Sequence, residues 1–125
     1  MGDRVNVQIV DGGKRVNLYS HWGGSDMPET VRVALAKRQR WTDGAYLARI
    51  IFCTMIAGDV DGETGFGISP PDALPDNEHP LIIVSADDQT VTIEGNGDIK
   101  PKRAKKYSFE EYVTLKSATW AKLGA

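Results

Sequence analysis

The sequence predicts an α+β domain: a mainly antiparallel sheet in the order ββ-αα-βββ-α, with the helices packed on one of its faces. Three observations predict it. Two alternating apolar–polar runs flank a glycine turn near the start, an apolar stripe at helical spacing occupies the middle, and two more alternating runs flank Asp87-Asp88. No internal repeat divides the chain, so residues 1–125 read as one domain, of a length suited to a single core.

Val5, Val7 and Ile9 alternate with Asn6 and Gln8, the period of a half-buried strand. After Asp11-Gly12-Gly13, Val16 and Leu18 alternate with Asn17 and Tyr19. Glycine supplies the positive φ of a tight turn, so the pair reads as a β-hairpin. Ser25 or Asp26 can cap a helix over residues 27–39, with Pro28 and Glu29 in its first turn and Val31, Ala34, Leu35 and Arg38 on one face. Trp41-Thr42-Asp43-Gly44 interrupts that pattern. Asp43 then caps a second helix, whose Leu47, Ile50, Ile51, Thr54 and Met55 form the core stripe.

Gly58 to Gly62 ends this helix. Asp59 and Asp61 offer oxygen donors, but a proline stands where a calcium loop would close on an acidic residue, so the segment reads as a solvated turn. A short strand at Gly65 to Ile68 precedes Pro70-Pro71 and a loop ending at Pro80. Leu81 to Val84 and Val91 to Ile93 make a second hairpin. Residues 95–106 read as a basic connector, with five basic residues between Lys100 and Lys106. Ser108-Phe109-Glu110-Glu111 is a capping box, which starts a C-terminal helix over about 109–122 carrying Phe109, Tyr112, Val113 and Trp120.

Composition narrows the function classes. A formal charge of −2 argues against a generic nucleic-acid binder. The one cysteine, Cys53, rules out an internal disulfide and a thiolate zinc site; its apolar neighbours make it a buried small hydrophobe. No secretory pattern is visible, and the run Ile50–Ala57 is too short to span a bilayer, so the expectation is a cytoplasmic protein without a membrane partner.

The strings Leu18-Tyr19-Ser20-His21-Trp22-Gly23-Gly24, Arg40-Trp41, Tyr46-Leu47-Ala48-Arg49-Ile50-Ile51-Phe52, Gly65-Phe66-Gly67-Ile68 and Asp76-Asn77-Glu78-His79-Pro80 are distinctive. In them the chain resembles a family of small uncharacterised bacteriophage and bacterial proteins, over residues 2–94 and again at 109–111. That resemblance brings no residue roles. It implies a phage setting, in which small proteins often disable host defences, and a host-cell cytoplasmic location if the protein is phage-encoded.

Both histidines lie in these strings, at His21 and His79. Of the neighbours His21 and Trp22, only one faces the core if the strand continues, and Trp22 is then the better core residue; if the strand has already ended, both can be presented at the sheet edge. Gly23 and Gly24 let a ligand approach the backbone at a helix start, although Asp26 and Glu29 oppose an anion there. Arg40-Trp41 offers a cation and a stacking surface. Arg49 flanks the apolar stripe, where a buried guanidinium needs a carboxylate such as Asp43 or Glu78, or a ligand phosphate. Asp76 or Asn77 can read the polar edge of a purine, and Glu78 with His79 can act as base and acid. The histidine spacing matches no compact metal motif, adjacent Ser20 and His21 have a geometry that rarely allows the hydrogen bond of a hydrolytic pair, and no cofactor motif appears. The Lys100–Lys106 run can attract phosphates or an acidic partner, but such runs are more commonly solvated linkers.

The leading expectation is a binding protein that sequesters a small anionic, nucleotide-derived ligand through His21, Trp22, Gly23, Gly24, Arg40, Trp41, Arg49 and Asn77, in a phage setting as a counter-defence protein acting on a host immune signal. A homo-oligomer would bury such a ligand better than a lone subunit. The alternatives are a module that inhibits a host protein through the sheet edge or the basic connector, and a small hydrolase or phosphodiesterase using His21, Glu78 and His79. The lack of a nucleophile–base constellation weighs against an enzyme.

Overall fold

A computed structural model describes residues 2–72, 77–95 and 97–124. The predicted hairpin is present: β1 (Val5–Asp11) pairs antiparallel with β2 (Lys14–Ser20), Val7 facing Leu18. Then follow α1 (Met27–Ala36), α2 (Gly44–Met55), β3 (Phe66–Ser69), β4 (Leu81–Ser85), β5 (Thr90–Glu94), β6 (Lys105–Ser108) and α3 (Phe109–Val113). The strands form one sheet in the order β3-β2-β1-β4-β5-β6, and the fold is α+β. Among the described residues no helix is long and apolar enough to cross a membrane.

The helices cover one face. Val5, Val7, Ile9, Leu18, Ile82, Val84, Val91 and Ile93 point toward them and join Val31, Leu35, Leu47, Ile51, Phe109 and Tyr112 in the core. Each such side chain removed from water contributes about 1.5–3 kcal/mol. The Tyr112 hydroxyl, buried in this layer, donates to the Pro28 carbonyl at 2.8 Å, and burial pushes its pKa well up. On the opposite face Asn6, Gln8 and Asn17 are also buried; Asn17 Nδ2 donates to Asn6 Oδ1, and Gln8 Nε2 donates to the Pro71 carbonyl.

The expected order and strand direction need correction in four places. First, the sheet is mixed, because β1 pairs with β4 in parallel while the flanking pairings are antiparallel. Period-two patterning identifies strands but says nothing of their direction. Second, the end of the supposed connector is a strand: Lys105 to Ser108 pair with β5, making the order ββ-αα-ββββ-α. Lysines on an edge strand deter further pairing, and they also remove the apolar signal. Third, α3 keeps its capping box but ends at Val113, well short of residue 122. Beyond it, Glu29 Oε1 accepts from the Ala118 amide at 2.7 Å and holds the chain off the helix path. Fourth, α1 stops at Ala36, because Arg38 and Arg40 both adopt φ of 56°. Arg38 thereby reaches Glu110 in a two-point ion pair and lies over the Trp41 ring.

Candidate functional site

The corner at Ser20–Gly24 is held by one local hydrogen bond and several from distant parts of the chain. Ser20 Oγ accepts from the Gly23 amide at 3.0 Å, and the Asp3 backbone bonds to both His21 and Gly24. The Asp3 carboxylate accepts from the Ser25 amide at 2.7 Å and from His79 Nε2 at 2.5 Å. Burial pushes the Asp3 carboxyl up, but the hydrogen bonds from His79 and Ser25 outweigh it and hold the group below its usual range. The His79 ring stacks on Trp120 with an interplanar angle of 2°, and Trp120 Nε1 donates to the Gly24 carbonyl at 2.9 Å. This closes a ring of contacts around Gly24.

That ring explains the glycine. A Cβ on Gly24 would stand 2.5 Å from the Asp3 carbonyl oxygen and 2.5 Å from His79 Cδ2. On Gly23 it would stand 2.8 Å from Ser20 Oγ. Space that the sequence reading assigns to a ligand is filled by the chain itself. Gly23, Gly24 and His79 are packing residues in this arrangement. Glu78 is similarly engaged: its amide donates to the Arg4 carbonyl at 3.0 Å and its carboxylate accepts from the Arg4 amide at 3.2 Å. Asn77 Oδ1 accepts from the His79 amide at 3.5 Å, and Asp76 lies outside the described residues. The expected wall opposite the corner is therefore in contact with it.

His21 shares a hydrogen bond of 2.8 Å with the Tyr19 hydroxyl and stands edge-on to Trp22. The two histidines thus have different partners, Tyr19 and Asp3, instead of facing one reacting centre. Trp22 reverses its expectation. It is 55 % exposed and lies over Gly65, outside the core.

The remaining predicted residues sit at the other end of β1. Gly44, at the start of α2, packs against Asp11, whereas Val5 faces Ser20 beside the corner. The seven residues of β1, at roughly 3.3 Å each, put about 20 Å between these ends. The expected site therefore divides in two. Trp41 turns toward the core, donating from Nε1 to the Leu35 carbonyl at 3.0 Å and meeting Phe109 edge-on, and Arg38 lies over its ring, so its partners are from the chain itself.

Arg40 and Arg49 do come together. With Gln39, Tyr46 and Ile50 they line an open depression of about 410 Å³. The left-handed backbone at Arg40 aims its guanidinium over the Tyr46 ring, 4.5 Å from the centroid, with Asp43 at 3.9 Å. Asp43 also caps α2, accepting from the Tyr46 amide at 3.4 Å. Arg49 is exposed and has no ion pair among the described residues, so the structural pair weighed for it is not formed. Its two expected partners are engaged elsewhere: Asp43 lies near Arg40, and Glu78 lies near Arg4.

Sequence reasoning missed Tyr46 and Gln39 here, and Asp3 and Trp120 at the corner. Tyr46 was discoverable, since residues three apart on a helix are neighbours and Arg49 follows at that interval. Cys53 lies on the same outer side of α2 and is exposed, which corrects its reading as a buried hydrophobe. Family models, curated proteins and solved structures were all compared with the chain, and none matches.

Proposed function

We propose that the protein is a binding protein, and that it recognises a small anion bearing a planar ring at the depression formed by Arg40, Tyr46 and Arg49. The observation that carries this reading is Arg49: an exposed guanidinium without an ion pair among the described residues, beside a second guanidinium stacked on a tyrosine. Guanidinium forks bind phosphate and carboxylate by two parallel hydrogen bonds, and their flat faces stack on aromatic rings. A nucleotide-derived ligand supplies both groups. In a phage setting, binding of this kind would withdraw a host signalling nucleotide from its receptor. The hydrolase reading loses support, because Glu78 and His79 are engaged in holding the N-terminal segment.

The depression is open, so one subunit covers one side of such a ligand, and a second subunit or a mobile partner would be needed for tight retention. The test is calorimetric titration with AMP, a cyclic dinucleotide and ADP-ribose, followed by chromatography of the heat-released ligand. Arg40→Ala and Arg49→Ala should each weaken binding about tenfold or more without lowering the melting temperature. Recovered ligand should be intact. Failure of all three probes to bind at millimolar concentration would refute the reading, and altered products would transfer it to the enzyme class.

A further inference from the structure

The other flank of α2 carries different chemistry. Here Val16 and Leu18 of β2, Ile68 of β3, and Ala48 and Phe52 of α2 line an apolar groove of about 180 Å³, with Arg49 on its rim. The strand bordering the groove, β3, is last in the sheet, and among the described residues no strand pairs with its outer side. Ile68 is 61 % exposed on the groove side. A Cβ on Gly67, which faces the opposite side, would meet nothing within 4 Å, so the other face of this strand is open there.

We propose that β3 and this groove take an extended peptide from another protein, one carrying a large apolar residue and, two positions away, a carboxylate. A strand added to a sheet edge gains main-chain hydrogen bonds, and its alternate side chains project on one face. On the α2 side, one of these would enter the groove between Ile68 and Phe52, and the next on that face would lie within the field of Arg49. Of the side chains that could stand there, a carboxylate pairs most strongly with the guanidinium, by two parallel hydrogen bonds. Pairing is limited to the four residues Phe66–Ser69, with Pro70 following, so the peptide need be no longer than a few residues.

Charge favours a different protein over a second copy of this one. Two-fold pairing of β3 with itself would continue the sheet with both α2 helices on the same face, turning both Arg49 side chains toward one seam. Like charges meeting there oppose self-association.

The probe is an acetylated, amidated heptapeptide in which threonines alternate with isoleucine, glutamate and isoleucine, so that the acidic residue has an apolar neighbour in either direction. Titrated into ¹⁵N-labelled protein, it should shift amide signals of residues 66–69 and of the exposed flank of α2. Ile68→Lys, a change at an exposed position that should leave the melting temperature unaltered, should weaken binding about tenfold or more. Replacing the peptide glutamate by glutamine should weaken binding to the native protein but make no difference to Arg49→Ala. Arg40→Ala should leave peptide affinity unchanged while weakening nucleotide affinity, so the two readings can fail separately. The proposal is overturned if millimolar peptide leaves residues 66–69 unshifted, or if Ile68→Lys binds as well as the native protein. A dimer in sedimentation that Ile68→Lys converts to monomer would overturn it in favour of self-pairing.

Discussion

Gly24→Ala distinguishes a glycine kept for packing from one kept for a ligand. The added methyl would overlap two groups, each 2.5 Å away, where contacts below 3.0 Å are essentially never tolerated. One of them, the Asp3 carbonyl, already accepts from the Gly24 amide at 2.8 Å, so the backbone cannot retreat and keep that bond. The other, His79, can swing aside. Doing so would forfeit its hydrogen bond to the Asp3 carboxylate, about 1.5–3 kcal/mol for a charged partner, and its stack on Trp120, about 0.5–1.5 kcal/mol. Allowing for partial relaxation, we expect a loss of about 2–4 kcal/mol. Urea unfolding at neutral pH, followed by tryptophan fluorescence, measures it. In a His79→Ala background one of the two overlaps is gone, and the same substitution should cost less. A loss below about 0.5 kcal/mol in the native background would refute the packing argument and return Gly24 to the list of ligand contacts.

Two further perturbations test other parts of the structure. Glu29 accepts a hydrogen bond from Arg32 at 2.8 Å and another from the Ala118 amide, which lowers its pKa from 4.5 to about 2. A depressed carboxylate stabilises the fold above its unfolded value and loses that contribution as pH falls through the folded value. The undiscounted worth is about 3 kcal/mol, but at 36 % side-chain exposure about 1–2 kcal/mol is realistic. The stability gap between native protein and Glu29→Gln should therefore be full at pH 7 and shrink between pH 4.5 and 2 in urea titrations; a pH-independent gap would contradict the assignment. Cys53, being exposed, should react with a thiol reagent in the folded protein as fast as after denaturation, and a reaction that waits for unfolding would place it back in the core.

Local patterns carried much of the architecture. The hairpin of β1 and β2 was legible because its alternation is clean, and α2 because Asp43 caps a strict apolar stripe. Parallel pairing was not legible, since the link between β1 and β4 is a long excursion with no local signature. The length of α3 depended on Glu29 capturing Ala118 from far along the chain. At the site, Arg40 and Arg49 stood out as cations beside apolar sequence. The Ser20–Gly24 corner misled because serine, histidine and glycine serve tight packing as readily as binding, and the deciding partners, Asp3 and Trp120, are distant in sequence. Trp22 and Cys53 were each assigned to the wrong side of a strand end or helix, where a single position decides exposure.

The parallel seam between β1 and β4 also bears on how the protein is made. During synthesis the hairpin and both long helices emerge before the strand that completes the middle of the sheet. Until residues 81–85 leave the ribosome, one whole side of β1 lacks its native hydrogen-bonding neighbour. Contacts between segments so far apart slow folding, and an uncovered central strand invites pairing with other chains. Fragments cut before β4 should accumulate as aggregates, and vectorial synthesis gives this chain little head start over refolding from denaturant.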